Sequence, residues 1–252
     1  MTKMRIRLPS PDILDMINEA AVALSMPELE FHLKSDGLYL NRFDSAKAAH
    51  LGISIPASEF DDFVVDEEKY ICVSMDSLTG VVKRLKRLKE PIEITIEDDR
   101  LTFANCGTPR RVFGIDMLTP QRVSGPKPYE ATTILNVDAQ ELYEQIKDLS
   151  GIVIHAIVMV SDGILNIKGE GERGTVSVQT ILTESDLVKS HEGPNAKSIY
   201  AMMYLDGIAK FVKSCKVETI TMEFNSDKPI MFITKVGSGE IRMLVAPRIE
   251  RR

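Results

Sequence analysis

The feature that most constrains the fold is an internal repeat. Residues 35–37 read Ser-Asp-Gly, after an alternating apolar run (Leu29, Phe31, Leu33) and before Leu38 and Leu40. Residues 161–163 read Ser-Asp-Gly again, after the apolar stretch 152–160 and before Ile164, Leu165 and Ile167. The two tripeptides lie 126 residues apart, half of the 252-residue chain. Glu93-Ile94-Thr95-Ile96 and Thr219-Ile220-Thr221-Met222 repeat at the same spacing, and Met75-Asp76-Ser77-Leu78 and Leu205-Asp206-Gly207-Ile208 open similar helical patterns 130 residues apart. One such anchor is within reach of chance, because Asp-Gly turns are common. Three in one order at nearly one spacing mean duplication. The period is too long for a solenoid unit of about 20–50 residues, so it describes two similar domains in tandem.

Each half carries two helical patterns among many short alternating ones. Ser10 before Pro11 signals a helix start, and Ile13, Leu14, Ile17, Ala21 and Leu24 then share one face. Asp138 with Glu141 is a capping-box variant, followed by Leu142, Ile146 and Leu149 at helical spacing. The second helix of the first half has the stripe Leu78, Val81, Val82, Leu85 and Leu88; that of the second half has Ile208, Phe211, Val212 and Cys215. Around them, Ile92, Ile94 and Ile96 alternate with polar residues, as do Ile220, Met222 and Phe224. A period of two with one polar face means antiparallel sheet with one side packed and the other wet. Asp98-Asp99, Ser226-Asp227 and Gly237-Ser238-Gly239 supply hairpin signals. The expected class is α+β, helices packed on antiparallel sheets, with a first domain over 1–118, a Pro-bearing connector over 119–130 (Pro120, Gly125, Pro126, Pro128) and a second domain over 131–252.

Composition excludes several classes. Apolar residues are 44% and charged residues 27%, as in an ordinary globular protein rather than a disordered one. Three scattered cysteines (Cys72, Cys106, Cys215) make neither a disulfide framework nor a zinc cluster and point to a reducing, cytoplasmic setting. No secretory signal is visible near Met1, and the stretch 151–160, interrupted by His155, is too short to span a bilayer. Gly169-Glu170-Gly171-Glu172-Arg173-Gly174 lacks the Gly-Lys-Ser/Thr ending of a phosphate loop, and its carboxylates would repel phosphate; a hairpin is expected there. The paired acids Asp61-Asp62 and Glu67-Glu68 point to opposite faces of a strand, and His32, His50, His155 and His191 stand alone. No nucleophile, base and orienting acid come together, so no catalysis, metal or cofactor is expected. A hydrolase using His155 or Cys106 is the enzymatic alternative.

Charge offers the functional signal. With a net charge of −6, the chain as a whole repels nucleic acid, so any contact must come from local cations. The two late helices collect them: Lys83, Arg84, Lys86, Arg87 and Lys89 against Asp76 in one, Lys210, Lys213 and Lys216 against Asp206 in the other. The early helices are acidic, with Asp12, Asp15 and Glu19 in the first and Asp138, Glu141, Glu144 and Asp148 against Lys147 in the second, and the four helices sum to zero. A single basic helix face is ordinarily just solvated; recurrence in both halves turns it into a candidate duplex surface that contacts phosphates without reading sequence.

Taken with the ending Leu244-Val245-Ala246-Pro247-Arg248-Ile249-Glu250, the Ile17-Asn18-Glu19-Ala20 of the first helix and Phe43-Asp44-Ser45, these features resemble the sliding DNA clamp of archaea and eukaryotes, the proliferating-cell-nuclear-antigen family, in its archaeal form. The resemblance covers essentially the whole chain. It implies a DNA polymerase processivity factor: a trimeric ring of clamp-fold domains, sheets outside and helices lining a hole for duplex DNA, that performs no catalysis and tethers DNA polymerase, flap endonuclease and DNA ligase after opening by a clamp-loader ATPase. It implies DNA-facing roles for Lys83, Arg84, Lys86, Arg87, Lys147, Lys210, Lys213 and Lys216. It places partner peptides on Phe43, Lys47, Ala48, Val123, Pro229, Leu244, Ala246 and Pro247, and subunit contacts on Arg110, Arg111, Val112, Phe113, Thr175, Val176 and Val178, in edge strands over 110–117 and 174–182. Leu14, Glu144 and Thr79-Gly80 stand where relatives often carry basic residues. Two alternatives remain: a two-domain protein-interaction module that never encloses DNA, and one subunit of a heterotrimeric clamp.

Overall fold

Among the described residues, the β-branched and aromatic alternation and the four apolar helical stripes become 18 strands and four α-helices in the same order in each half. The structure is a computed structural model and describes residues 4–97, 100–122, 124–127, 130–183 and 188–248, with the side chains of Glu97 and Lys189 left aside. The first half runs β1 (Met4–Leu8), α1 (Asp12–Ala23), β2 (Glu28–Lys34), β3 (Gly37–Phe43), β4 (Ala49–Pro56), β5 (Asp62–Val65), β6 (Lys69–Ser74), α2 (Met75–Leu88), β7 (Ile92–Glu97), β8 (Arg100–Asn105) and β9 (Val112–Asp116). The second runs β10 (Thr133–Asp138), α3 (Ala139–Leu149), β11 (His155–Ser161), β12 (Ile164–Gly171), β13 (Gly174–Ile181), β14 (Val188–Glu192), β15 (Ala196–Ala201), α4 (Met202–Ser214), β16 (Thr219–Phe224), β17 (Ile230–Val236) and β18 (Gly239–Val245).

The duplication is therefore present, but its period is 127 rather than 126. β2 and β11, β3 and β12, β6 and β15, α1 and α3, α2 and α4, and β7 and β16 all start 127 residues apart. The Ser-Asp-Gly anchors slip by one because the two hairpins use the tripeptide differently. Lys34 pairs with Gly37, so Ser35-Asp36 forms the first turn; Ser161 pairs with Ile164, so Asp162-Gly163 forms the second. There Asp162 and Gly163 take φ of 52° and 77°, the left-handed pair of a two-residue hairpin turn. The second-helix anchor, expected at a spacing of 130, is corrected too: α4 starts at Met202, three residues before Leu205, and its first residue carries no side-chain cap to mark it.

Strand neighbours repeat as the elements do. In the first half β5-β1-β7-β8-β9 and β4-β3-β2-β6 are consecutive neighbours; in the second, β14-β10-β16-β17-β18 and β13-β12-β11-β15. The contacts group described residues within 1–47, 51–125 and 235–241 into one unit, and within 48–50, 126–234 and 242–252 into the other. In the first unit Leu14, Ile17, Ala21 and Leu24 of the α1 stripe are buried with Leu78, Val81, Val82 and Leu85 of α2, against Ile6, Leu29, Leu40 and Phe103. In the second, Leu142, Ile146 and Leu149 of α3 and Ile208, Phe211 and Val212 of α4 are buried with Tyr200 and Phe224. The caps are partly as expected. Asp138 accepts from the amides of Gln140 (3.0 Å) and Glu141 (3.1 Å). Ser10 accepts from the amide of Asp12 at 3.3 Å, one position earlier than a cap, because Pro11 is the residue flanking the helix.

The glycine-rich segment is a hairpin: Gly171 pairs with Gly174, leaving Glu172-Arg173 as its turn. Gly171 is required there, since a Cβ would sit 2.3 Å from the carbonyl oxygen of Ile152. The hairpin expected at Asp98-Asp99 lies outside the described residues, although Glu97 and Arg100 pair on either side of it. Among the described residues no helix is long and apolar enough to cross a membrane.

Candidate nucleic-acid interface and partner surfaces

In the first unit, α2 begins where Ser74 Oγ accepts from the amide of Ser77 at 3.2 Å and ends at Lys89, a left-handed cap with φ of 54°. Its apolar stripe faces inward, which leaves Lys83, Arg84, Lys86 and Arg87 exposed. Lys86 and Arg87 also lie in the last turn, where cations favour the carbonyl end of the helix. The acids of α1 do not simply cancel these charges. Asp15 is buried and receives Lys86 Nζ at 2.5 Å, and Asn18, also buried, receives the hydroxyl of Thr79 at 2.7 Å. Arg84 folds back onto the carbonyl of Gly80 at 2.5 Å. Lys83 and Arg87 have neither an ion pair nor a hydrogen bond among the described residues and project into solvent.

The second unit repeats the scheme with less charge. Asp206 on α4 accepts from Ser150 Oγ at 3.0 Å and pairs with Lys210 at 2.6 Å. Lys213 reaches Gln140 Oε1 at 3.0 Å and lies over the ring of Tyr143, 5.2 Å from its centre. Lys147 lies over the same ring at 5.6 Å and only 3.9 Å from Glu144. Lys216 is exposed at a φ of 53°, just beyond the helix end. Of the nine acids on or capping the helices, Asp15, Asp138, Glu144 and Asp206 thus engage groups of their own unit, while the eight candidate cations are all exposed. The formal sum of zero concealed this separation.

The strands expected at a subunit contact are both sheet ends. β9 terminates β5-β1-β7-β8-β9, and β13 terminates β13-β12-β11-β15. Val112 is 56% exposed and Ile181 49%, a heavy apolar load for a strand edge open to water. Phe113 is half-buried opposite Phe103, and Arg110 and Arg111 are exposed, with Arg110 4.0 Å from Glu93. Thr175, Val176 and Val178 lie on β13 opposite Glu170, Gly169 and Ile167, with Thr175 exposed and the two valines half-buried.

The positions expected to meet partner peptides fall in two groups. Phe43, half-buried at the end of β3, and Lys47, exposed with φ of 54°, belong to the first unit. Ala48, Pro229, Leu244, Ala246 and Pro247 belong to the second, where the amide of Ala246 donates to the carbonyl of Ala48 at 2.7 Å and Leu244 is buried. Val123, together with Ile249 and Glu250 of the terminal motif, lies outside the described residues.

Sequence reasoning missed one cluster entirely. On the outer face of β2 and β6, buried Glu30 accepts from the amides of Gln121 (2.5 Å) and Arg122 (2.8 Å), Arg42 pairs with Glu28, and the guanidinium of Arg122 lies 4.7 Å from the centre of the Tyr70 ring. Glu30 and its partners are about ninety positions apart, so no local pattern could announce them. The candidate hydrolytic groups carry no constellation. His155 is bonded by Arg248, and its pKa is lowered by burial and then by that cation; Cys106 is exposed. Burial raises the Cys72 thiol, keeping it protonated. Among the described residues no group of His, Cys, Asp or Glu side chains is placed to hold a metal ion.

No family model matches the sequence. Curated relatives do: a DNA polymerase sliding clamp of Pyrococcus horikoshii is 26% identical over 88% of this chain and 90% of its own length, and one of Thermococcus sibiricus is 24% identical over 95% of each. Solved structures align over nearly the whole chain. A PCNA of Thermococcus kodakaraensis superposes with a TM-score of 0.88 at 19% identity, covering 97% of this chain and all of the other. A PCNA2–PCNA3 complex of Sulfolobus tokodaii gives 0.86 at 19%, over 98% of this chain.

Proposed function

We propose that this chain, which has the sliding-clamp fold from end to end, is a DNA polymerase processivity factor whose copies close into a trimeric ring around duplex DNA. The observation that carries the reading is the separation of charge on the helices. In a chain of net charge −6, the acids Asp15 and Asp206 are occupied within their own units, and at the 127-residue period the exposed Lys83, Lys86 and Lys89 of the first half correspond to the exposed Lys210, Lys213 and Lys216 of the second. Such a surface suits weak contact with phosphates and no base readout. Retention then comes from closure of the ring rather than from affinity.

In this reading the domains are 1–118 and 131–252 with a connector over 119–130, and Lys83, Arg84, Lys86, Arg87, Lys147, Lys210, Lys213 and Lys216 face DNA. β9 of one copy adds to β13 of the next, which covers the apolar edges at Val112 and Ile181. Head-to-tail addition of one strand end to a different one closes only if each copy brings both ends, as this chain does. Phe43, Lys47, Ala48, Val123, Pro229, Leu244, Ala246 and Pro247 receive peptides of the polymerase, a flap endonuclease, a DNA ligase and the clamp-loader ATPase. The chain itself performs no chemistry.

A mixed ring is the second reading. The Sulfolobus tokodaii structure is of a complex of two differently numbered PCNA chains, and here the cation supply of α2 exceeds that of α4. Native mass spectrometry of the purified chain separates the readings. Three times the chain mass supports the homotrimer. A monomer that reaches that mass only with a paralogue supports the mixed ring, and a monomer under every condition removes both.

A further inference from the structure

We propose that Glu30 is a positioning residue that pins the start of the 119–130 segment to the outer face of β2 and β6. Arg122 has φ of 49°, a left-handed conformation uncommon for a residue other than glycine. A left-handed residue after a right-handed or extended one turns successive backbone N–H groups toward a common point and makes a small anion-binding concavity. The Glu30 carboxylate fills it: Oε2 takes the Gln121 amide at 2.5 Å, while Oε1 and Oε2 take the Arg122 amide at 2.8 and 3.1 Å. Glu30 as a whole is only 5% exposed, so its carboxylate depends on these donors more than on water.

Three further contacts converge on the same stretch. The amide of Leu118 donates to the carbonyl of Cys72 at 2.7 Å, Gln121 Oε1 lies 3.5 Å from Arg42, and the Arg122 guanidinium sits over Tyr70, whose ring stacks on His32 at 4.1 Å. The long Gln121–Arg42 contact and the Arg122–Tyr70 contact are each individually weak. The carboxylate is different in kind. If the segment lifts, a buried charge is left without donors, so the segment has one strongly preferred seat. Beyond Arg122, Ser124 and Gly125 are exposed and bonded to nothing among the described residues. The segment is therefore held at Gln121 and Arg122, while Ser124 and Gly125 make no such contact among the described residues. Any consequence for peptide docking rests on the clamp reading above; the latch itself is a property of the free chain.

The test uses the intact protein alone. Lys127 precedes Pro128, which trypsin does not cut, so cleavage after Arg122 reports the seat directly. Glu30→Gln keeps the shape but puts an NH2 where an oxygen accepted, and it should raise the rate of cleavage after Arg122 at least tenfold, whereas Tyr70→Leu should change it less than threefold. An unchanged rate in Glu30→Gln, or a larger effect from Tyr70→Leu, overturns the assignment. Hydrogen exchange in the unsubstituted chain is the second measurement and does not depend on either variant folding. The amides of Gln121 and Arg122 should exchange at least tenfold more slowly than those of Ser124 and Gly125; equal rates also overturn it.

Discussion

Replacing Asp15 by Asn should make the protein less stable and its grip on DNA stronger. Asp15 is buried on α1 with its side chain 11% exposed, while Lys86, which meets it at 2.5 Å, is 47% exposed. The carboxylate has surrendered its water and depends on the ammonium, but the ammonium is still half hydrated. The pair therefore contributes less than the roughly 3 kcal/mol upper range of a charged hydrogen bond and more than the few tenths of an open surface pair. About 1 kcal/mol is the reasoned value. Asp15 also lies in the first turn of α1, where losing its charge costs about 0.5 kcal/mol more against the helix dipole. A loss of about 1.5 kcal/mol should lower the melting temperature by about 3–6 °C in a chain of this size.

The same change removes one negative charge per copy from the helix surface and leaves Lys86 uncompensated by Asp15. Binding to a short linear duplex, titrated at several salt concentrations, should tighten, and the log–log salt slope should steepen by about 1 to 3 for a ring of three copies. Weaker binding or a shallower slope would refute the placement of α1 and α2 at the DNA. An unchanged melting temperature would refute the structural role given to the Asp15–Lys86 pair.

Three other outcomes are expected. Lys83→Glu with Lys216→Glu reverses two exposed cations that touch nothing in their own units, so stability should stay within about 0.5 kcal/mol while the amount of protein loaded on DNA drops; failure to fold or trimerise would make those residues structural. Val112→Lys places a charge on the apolar edge of β9 and should shift the assembled species toward monomer by analytical ultracentrifugation, with the far-ultraviolet spectrum unchanged. Burial lowers the His50 pKa to about 4. Since the folded value lies below the unfolded one near 6.5, the unfolded chain binds the proton first, so stability is intact above about pH 6.5 and is lost as pH falls toward 4. Urea midpoints across that window should show this loss in the natural chain and a smaller one in His50→Gln.

How much of this could be read from the chain alone depends on the distance between the residues involved. The helical stripes at Leu78–Leu85 and Leu142–Leu149 are local periodicities, and they are buried as expected. The Asp138 cap is a contact over three positions, and it forms. The duplication was legible as an order of elements, but its register was not. The same tripeptide serves a turn at Ser35-Asp36 in one half and at Asp162-Gly163 in the other, and a single-residue slip is invisible to a pattern whose only mark is an Asp-Gly pair. The start of α4 was missed because Met202-Met203-Tyr204 carries no capping side chain. The charge sum over the four helices was right as arithmetic and misleading as physics. Whether an acid meets a ligand or a neighbouring lysine depends on Asp15 finding Lys86, 71 positions away. Glu30 and Arg122, 92 positions apart, were beyond any local signal for the same reason.

The central claim is that this protein stays on DNA because it surrounds it. Loading the purified ring onto covalently closed circular duplex, then cutting half of the sample once and measuring what remains bound, tests that claim most directly. Encirclement predicts retention on the circle and loss from the linear ends within the time of sliding. Equal retention on both, or equal loss from both, would contradict it.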